Sequence, residues 1–240
     1  MNKKKVLITG ASRGLGLAIS KKLAADYTLI LHASKEESFK SVDKKHHVLC
    51  ADFADDKQLD DFCKRLKKEH GDDLYAVINN AGVTFDKPLN FQPEREIDAM
   101  LKVNLRAPIL ISKTAMKIFG LSGTGVIINI SSVVGESGNA FQSVYAATKA
   151  GLVALSRSLA QEAAALNTEH NIRVLSVSPG FVETDMTDSI PGTIKEKYLN
   201  LIPAKRFGKA DDIADTIAFL LSEKASYING TNIHINGGLL

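Results

Sequence analysis

The sequence predicts an α/β protein: a single domain built on a doubly wound, seven-stranded parallel sheet with helices on both faces. Three observations carry this expectation. Short apolar runs alternate with amphipathic stretches along the whole chain. The runs are nearly continuous in apolar residues, as strands buried on both faces are. A chain of 240 residues, 45% hydrophobic and 24% charged, suits one larger α/β domain better than two small ones.

Seven runs read as strands: 5–9, 27–32, 47–50, 75–79, 125–130, 171–178 and 232–235. Between them, apolar residues recur at three- and four-residue spacing over 15–25, 58–69, 94–119, 144–166 and 211–221, which read as helices. Repeated βα alternation of this kind makes a Rossmann sheet, whose ligands lie beyond the carboxyl ends of the strands. The residues just after each strand are therefore the ones to inspect.

Composition excludes several classes of function. The net charge of +3 comes from 30 basic and 27 acidic residues spread over the chain, with no basic stripe to track a nucleic acid. The two cysteines, Cys50 and Cys63, have neither the number nor the spacing of a disulfide framework or a zinc site, and no metal is expected. The start is basic, but the apolar run behind it, Val6 to Ile8, is too short for a signal peptide or a membrane span, so a cytoplasmic protein is expected.

The first strand runs into Thr9-Gly10-Ala11-Ser12-Arg13-Gly14-Leu15-Gly16 and then directly into a helix. Glycines there allow a tight turn and close approach of the backbone to a diphosphate, and the helix N-terminus offers free N–H groups. Gly10, Ser12, Arg13, Gly14, Leu15 and Gly16 are thus candidate dinucleotide contacts. The second strand ends His32-Ala33-Ser34-Lys35, without the acid that NAD enzymes place on the ribose 2′-hydroxyl. Arg13 and Lys35 suit a 2′-phosphate, with Ser34 as a hydrogen-bond donor, so NADPH is expected over NADH, although Lys35 also reads as a solvated surface charge.

Further motifs follow in order: Asn79-Asn80-Ala81-Gly82, Asn129-Ile130-Ser131-Ser132, the pair Tyr145 and Lys149, and Ser178-Pro179-Gly180 with Thr184. With the glycine loop, they make the chain resemble the short-chain dehydrogenase/reductase family over its full length. The stretches 179–186 and 202–208, Ser132-Val133-Val134-Gly135 and Asn236-Gly237-Gly238 narrow the likeness to bacterial 3-oxoacyl-(acyl-carrier-protein) reductases.

The chemistry fits. Ketone reduction needs a hydride from the nicotinamide and a proton delivered to an oxygen as charge develops there. Tyr145 and Lys149 are four apart on one helical face, where the ammonium is expected to lower the tyrosine pKa. Taken alone, such a pair is an ordinary surface couple. Ser132, thirteen residues before Tyr145 at a strand end, brings a second hydroxyl to the same cleft.

The resemblance implies that Ser132 orients the substrate, Tyr145 donates the proton, and Lys149 binds the nicotinamide ribose and tunes the tyrosine. It also implies that Asn104 holds a water in a proton relay to the lysine, with Ser131 left structural. The implied cofactor contacts are Asp52 and Phe53 beside the adenine, Asn80, Ala81 and Gly82 after the fourth strand, and Pro179, Gly180, Val182 and Thr184 at the nicotinamide end. Asp52 also reads as an acid at a helix N-terminus.

The segment 183–207, with Met186, Ile190, Tyr198 and Leu199, is expected to be a lid over an acyl chain. The implied reaction is NADPH-dependent reduction of a carrier-bound 3-oxoacyl thioester in fatty-acid synthesis. Lys113, Lys117, Arg157 and Arg173 are candidate contacts for an acidic acyl carrier protein. A coenzyme A thioester or another ketone is the alternative within the family. A non-catalytic dinucleotide binder is the alternative outside it, and such a protein is expected to have lost part of the Asn104, Ser132, Tyr145 and Lys149 set. A homotetramer joined through the long helices is implied, and Leu152, Val153, Leu155 and Leu159 give helix 144–166 more apolar positions than one buried face needs, which a thick core also explains.

Overall fold

The computed structural model describes residues 3–39, 43, 45–166, 169, 171–183 and 192–240. The chain begins β1 (Lys5–Ile8), α1 (Gly14–Leu23), β2 (Thr28–Ala33), β3 (His47–Cys50), α2 (Asp56–His70) and β4 (Leu74–Asn79). It continues α3 (Glu94–Leu101), α4 (Ala107–Ser122), β5 (Thr124–Ile130), α5 (Val134–Ser137) and α6 (Ser143–Leu166). It closes with β6 (Asn171–Pro179), α7 (Gly192–Leu201), α8 (Ala210–Leu221) and β7 (Asn232–Ile235). The seven strands form one sheet in the order β3-β2-β1-β4-β5-β6-β7, and every pair is parallel.

Successive side chains of a strand face opposite ways, and here both faces are apolar. Leu7, Ile30, Leu49, Val77, Ile127 and Val174 pack with Leu59, Phe62 and Leu66 of α2 and Ile111, Ile118 and Phe119 of α4. Their neighbours Val6, Ile8, Leu29, Leu31, Ile78, Ile128 and Leu175 pack with Ile19 and Leu23 of α1 and Ile213, Ile217 and Leu220 of α8. Burial on both sides is why these strands read as continuous apolar runs.

Local signals set the helix ends. Asp55 caps α2, its Oδ1 accepting from the N–H groups of Lys57 and Gln58 at 2.9 and 3.1 Å. The capping role thus falls on Asp55, while Asp52 turns its carboxylate to Ala54 N at 2.9 Å. α4 stops at Gly123, which sits in the left-handed region at φ 74°.

The helix expected over 94–119 is interrupted. Lys102–Arg106 form a π turn between α3 and α4, centred on the buried Asn104. Two α-helices were not anticipated: α5, which begins two residues after Ser132, and α7, which lies within the expected lid. Thr184, Met186 and Ile190 of the sequence reading lie outside the described residues. No helix among the described residues is long and apolar enough to cross a membrane. Among those residues, no group of three or more His, Cys, Asp or Glu is placed to hold a metal ion.

Arg173 corrects one expectation. It is 4% exposed and donates from its guanidinium to the Leu220 carbonyl at 2.8 Å, at the end of α8. It is a structural group under the sheet and offers no contact to a carrier protein.

Phe141 stands in the loop before α6 at φ 70°, a left-handed conformation that costs a bulky residue on the order of 1–3 kcal/mol. Its side chain is exposed, so little burial offsets that strain. Phe141→Gly should raise the unfolding free energy by about 1 kcal/mol after the extra backbone entropy of glycine is counted. Urea unfolding of the two proteins checks this, and a loss of stability contradicts it.

Candidate active site

The chain leaves β1 toward β2 and β3 on one side, and from β4 onward adds strands on the other, so the two ends flank a crevice. The glycine loop, Asn80 to Gly82, Ser132, Tyr145, Lys149 and Pro179-Gly180 gather along that carboxyl edge.

The glycine loop is folded as the sequence predicts. Gly10 and Gly14 have φ of 65° and 52°. At Gly16 a Cβ would stand 2.1 Å from the carbonyl oxygen of Gly10, so only glycine lets α1 begin this close to the strand. Arg13 occupies the N-cap of α1 without a side-chain cap, which leaves the first N–H groups of the helix for a ligand. A cradle that a Cβ would fill, facing uncapped helix amides, fits the diphosphate of a dinucleotide. Arg13, Ser34 and Lys35 are all exposed at its rim, as a 2′-phosphate site requires.

Asn80 and Ala81 stitch this loop to β4. Thr9 Oγ1 accepts from both backbone N–H groups at 2.9 Å, and the Asn80 carboxamide donates to the carbonyls of Thr9 and Gly10 at 2.9 and 3.2 Å. Below them lies a buried ladder that the sequence reading missed. Asn79 donates to Ser112 and Asn129, and Asn129 donates to Ser156, so β4, β5, α4 and α6 share one polar chain. Two asparagines in register at the ends of neighbouring apolar strands, Asn79 last in β4 and Asn129 last but one in β5, were the available signal.

Ser132 lies two residues beyond β5 and Tyr145 in the first turns of α6. The Ser132 side chain pulls the tyrosine pKa down, but burial dominates, with Asp86 adding to it, and pushes it up to about 12. The expectation that Lys149 lowers this pKa is not met by the protein chain alone: the ammonium lies 5.6 Å from the centre of the Tyr145 ring. Lys149 is 4% exposed, its Nζ donates to the Ile130 carbonyl at 2.8 Å, and burial pushes its pKa down to about 8. Ser131 is structural, as expected, donating to the Lys149 carbonyl at 2.7 Å.

Ser132 and Tyr145 meet because α5 and α6 nearly touch. A Cβ on Gly135 would stand 2.8 Å from the backbone nitrogen of Ala150. Asn104 is locked by its side chain: Oδ1 accepts from Val83 N at 2.8 Å, and Nδ2 donates to Val83 O at 2.8 Å and Thr148 Oγ1 at 3.3 Å. The space over Gly82 is common to two of these groups, since a Cβ there would lie 3.5 Å from Asn104 Oδ1 and 3.6 Å from Lys149 Nζ.

At the other side of the crevice, Pro179 O accepts from Val133 N at 3.0 Å and Gly180 N donates to Ile235 O at 3.0 Å, which sets the 179–182 segment beside α5. Beyond it, Phe181 stacks with Tyr198 of α7 at 4.1 Å between ring centres, with Phe207 at 5.9 Å. Asp52 is exposed, whereas the Phe53 ring is buried against His32 and offers a ligand little of its face.

The burial of Lys149 has a signed consequence for stability. Its folded pKa lies below the unfolded value of 10.5, so near pH 7 the lysine is protonated in both states and folding bears the full penalty, on the order of 3 kcal/mol. Between about pH 8 and 10.5 the unfolded chain holds more protons, and stability rises with pH. Without added dinucleotide, the wild type should gain stability from pH 7 to 9.5 relative to Lys149→Met. Urea unfolding across that range checks this, and parallel curves contradict it.

Comparison with known proteins agrees with this geometry. A family model described as enoyl-(acyl carrier protein) reductase, from the short-chain dehydrogenase/reductase family, matches residues 10–240. Among curated proteins, a 3-oxoacyl-[acyl-carrier-protein] reductase of Staphylococcus aureus is 39% identical over 245 residues, covering 98% of this chain and 98% of that protein. Proteins with the same description from Haemophilus influenzae and Aquifex aeolicus are 36% and 38% identical, covering 100% and 97% of this chain and 99% and 96% of their own. The chain is an oxidoreductase of the short-chain dehydrogenase/reductase family, which works with a nicotinamide dinucleotide.

Proposed function

We propose that this protein reduces a 3-oxoacyl thioester, carried on an acyl carrier protein, to the 3-hydroxyacyl thioester of fatty-acid synthesis, using NADPH in the cytoplasm. The observation that carries the reading is the placing of Ser132 beside Tyr145, backed by a buried Lys149 at the carboxyl edge of a sheet whose glycine loop suits a dinucleotide. The family model bears the name of an enoyl reductase, but the relatives similar over their full length are named for reduction of the 3-oxo group. Two hydroxyls meeting at one point suit a ketone oxygen.

The nicotinamide, when bound, supplies the hydride. Ser132 donates to the substrate carbonyl and fixes its orientation, and Tyr145, neutral with a pKa near 12, delivers a proton to the oxygen as it becomes an alkoxide. An alkoxide is basic enough to take a proton from a phenol of this pKa, so the step is downhill. The tyrosinate left behind is stabilised by Lys149, whose pKa near 8 keeps it largely cationic at neutral pH and able to pass a proton on. Asn104 holds the water that resupplies that proton, and its Oδ1 shares with Lys149 Nζ the space over Gly82.

Arg13, Ser34 and Lys35 take the 2′-phosphate. Gly10, Ser12, Gly14, Leu15 and Gly16 hold the diphosphate, and Asp52 and Phe53 border the adenine. Asn80, Ala81 and Gly82 line the middle of the dinucleotide, while Pro179, Gly180, Val182 and Thr184 meet the nicotinamide. Segment 183–207 acts as the acyl lid, supported by the aromatic contacts of Phe181 with Tyr198 and Phe207. Exposed Lys113, Lys117 and Arg157 are the remaining candidates for an acidic carrier. Ile109 of α4 and Leu166 of α6, 40% and 81% exposed, favour assembly into a homotetramer through those helices, which light scattering reads directly.

Turnover should be seen as NADPH oxidation with acetoacetyl thioester, faster on the carrier than on coenzyme A, and not with the 2-enoyl thioester. Tyr145→Phe should lower kcat by ~10² to 10⁴ with cofactor binding retained, and undiminished turnover refutes the proton-donor role. The KM for NADPH should lie well below that for NADH, and the reverse order removes the 2′-phosphate site. Cofactor binding without turnover of any ketone would make the protein a binder and not a reductase.

A further inference from the structure

Among the buried titratable side chains that the reaction leaves unused, His32 stands nearest the glycine loop. His32, 3% exposed, is the fifth residue of β2, two before Ser34. Its Nδ1 accepts from the backbone N–H of Gly10 at 3.2 Å, and its Nε2 lies 2.9 Å from the carbonyl oxygen of Ala51. A backbone N–H only donates and a carbonyl only accepts, so both contacts are made by one species alone, the neutral ring with its proton on Nε2. Burial, which pushes the imidazole pKa down to about 4, keeps it in that form.

The ring is fixed in direction as well. It stacks on Phe53 with centres 3.9 Å apart and planes 2° from parallel, and meets Phe62 edge-on at 5.2 Å. The His32 carbonyl also accepts from Ala11 N at 2.8 Å. One residue thus holds the first two amides of the glycine loop, the strand end that leads to Ser34 and Lys35, and the turn that carries Asp52 and Phe53.

We propose that His32 is a positioning residue for the adenosine half of the dinucleotide: its fixed Nε2–H tautomer holds the ends of β1, β2 and β3 at the spacing the ligand needs. The inference rests on the dinucleotide reading of the glycine loop. With Gly10 N–H directed inward to the imidazole, the start of the loop is set by a side chain and not by the ligand, so the cradle is formed before binding.

Two near-isosteres separate the contacts. Asn places an acceptor where Nδ1 stands and keeps the Gly10 link, whereas Gln places a donor where Nε2 stands and keeps only the Ala51 link. The dissociation constant for NADPH, read by isothermal titration, should rise about tenfold in His32→Leu and His32→Gln, the scale of one net hydrogen bond, and by less than about threefold in His32→Asn. The kcat at saturating cofactor should change far less than KM. Ring ¹⁵N shifts of the wild type should report the Nε2–H tautomer.

If His32→Leu does not fold, the Asn and Gln pair carries the test. Variants that all bind within threefold of wild type, or Asn and Gln variants that lose affinity equally in step with stability, overturn the proposal, as does an Nδ1–H tautomer. A wild-type chain that binds neither NADPH nor NADH overturns the dinucleotide reading and this proposal with it.

Discussion

At the seam between β1 and β4 two neighbouring parallel strands end together and their chains depart in opposite directions, leaving backbone groups without ladder partners. Thr9 and Asn80 resolve this by exchange: the Thr9 hydroxyl takes two amides from the β4 side, and the Asn80 carboxamide covers two carbonyls on the β1 side. Unpaired buried backbone groups are costly, so this exchange fixes where the crevice opens. The position of α1 and the depth of the glycine loop follow, and so does the position of Gly82 between Asn104 and Lys149.

Burial does the chemical work at the other end of the crevice. The same desolvation pushes the Tyr145 pKa up to about 12 and the Lys149 pKa down to about 8, so a tyrosinate left by proton donation is the stronger base and the lysine the stronger acid, and the proton runs downhill from Lys149 to Tyr145. The structure bears the cost of a desolvated lysine because α5 and α6 must touch at Gly135 for Ser132 to reach Tyr145. A looser contact would hydrate the lysine and separate the hydroxyls together. Fold stability and site geometry are set here by the same packing.

How much of this was legible in the chain depends on the kind of signal. Strands buried on both faces announce themselves as apolar runs, and the glycine loop and the Tyr145–Lys149 spacing are local patterns, so their elements are where the sequence places them. Arg173 shows what periodicity leaves out. A base inside a run read as a doubly buried strand had to be paired within the protein, and that inference was available from the run itself. His32 had no such mark. A histidine at a strand end reads alike whether it meets solvent or a loop twenty-two residues away, because its partners, Gly10 and Ala51, are set by strand order and not by spacing along the chain.

Asn104 is the harder case, because the helix around it looks continuous. A π turn holds one residue more than an α turn, so the apolar stripe of α4 falls about 100° out of phase with that of α3. Over twenty-six residues such a slip hides within the tolerance of an i, i+3, i+4 pattern, and 94–119 reads as one helix. What holds the slip in place is remote: both polar atoms of the Asn104 side chain are bound to Val83, on the segment after β4, with Thr148 of α6 closing the set. An aspartate would oppose the Val83 carbonyl and a leucine would leave both Val83 groups bare, so the carboxamide is what this junction demands. The deformation that defeats the sequence pattern is also the one that brings helix α3–α4 against Gly82 and the lysine, which is where locally inconsistent sequence and function are expected to coincide.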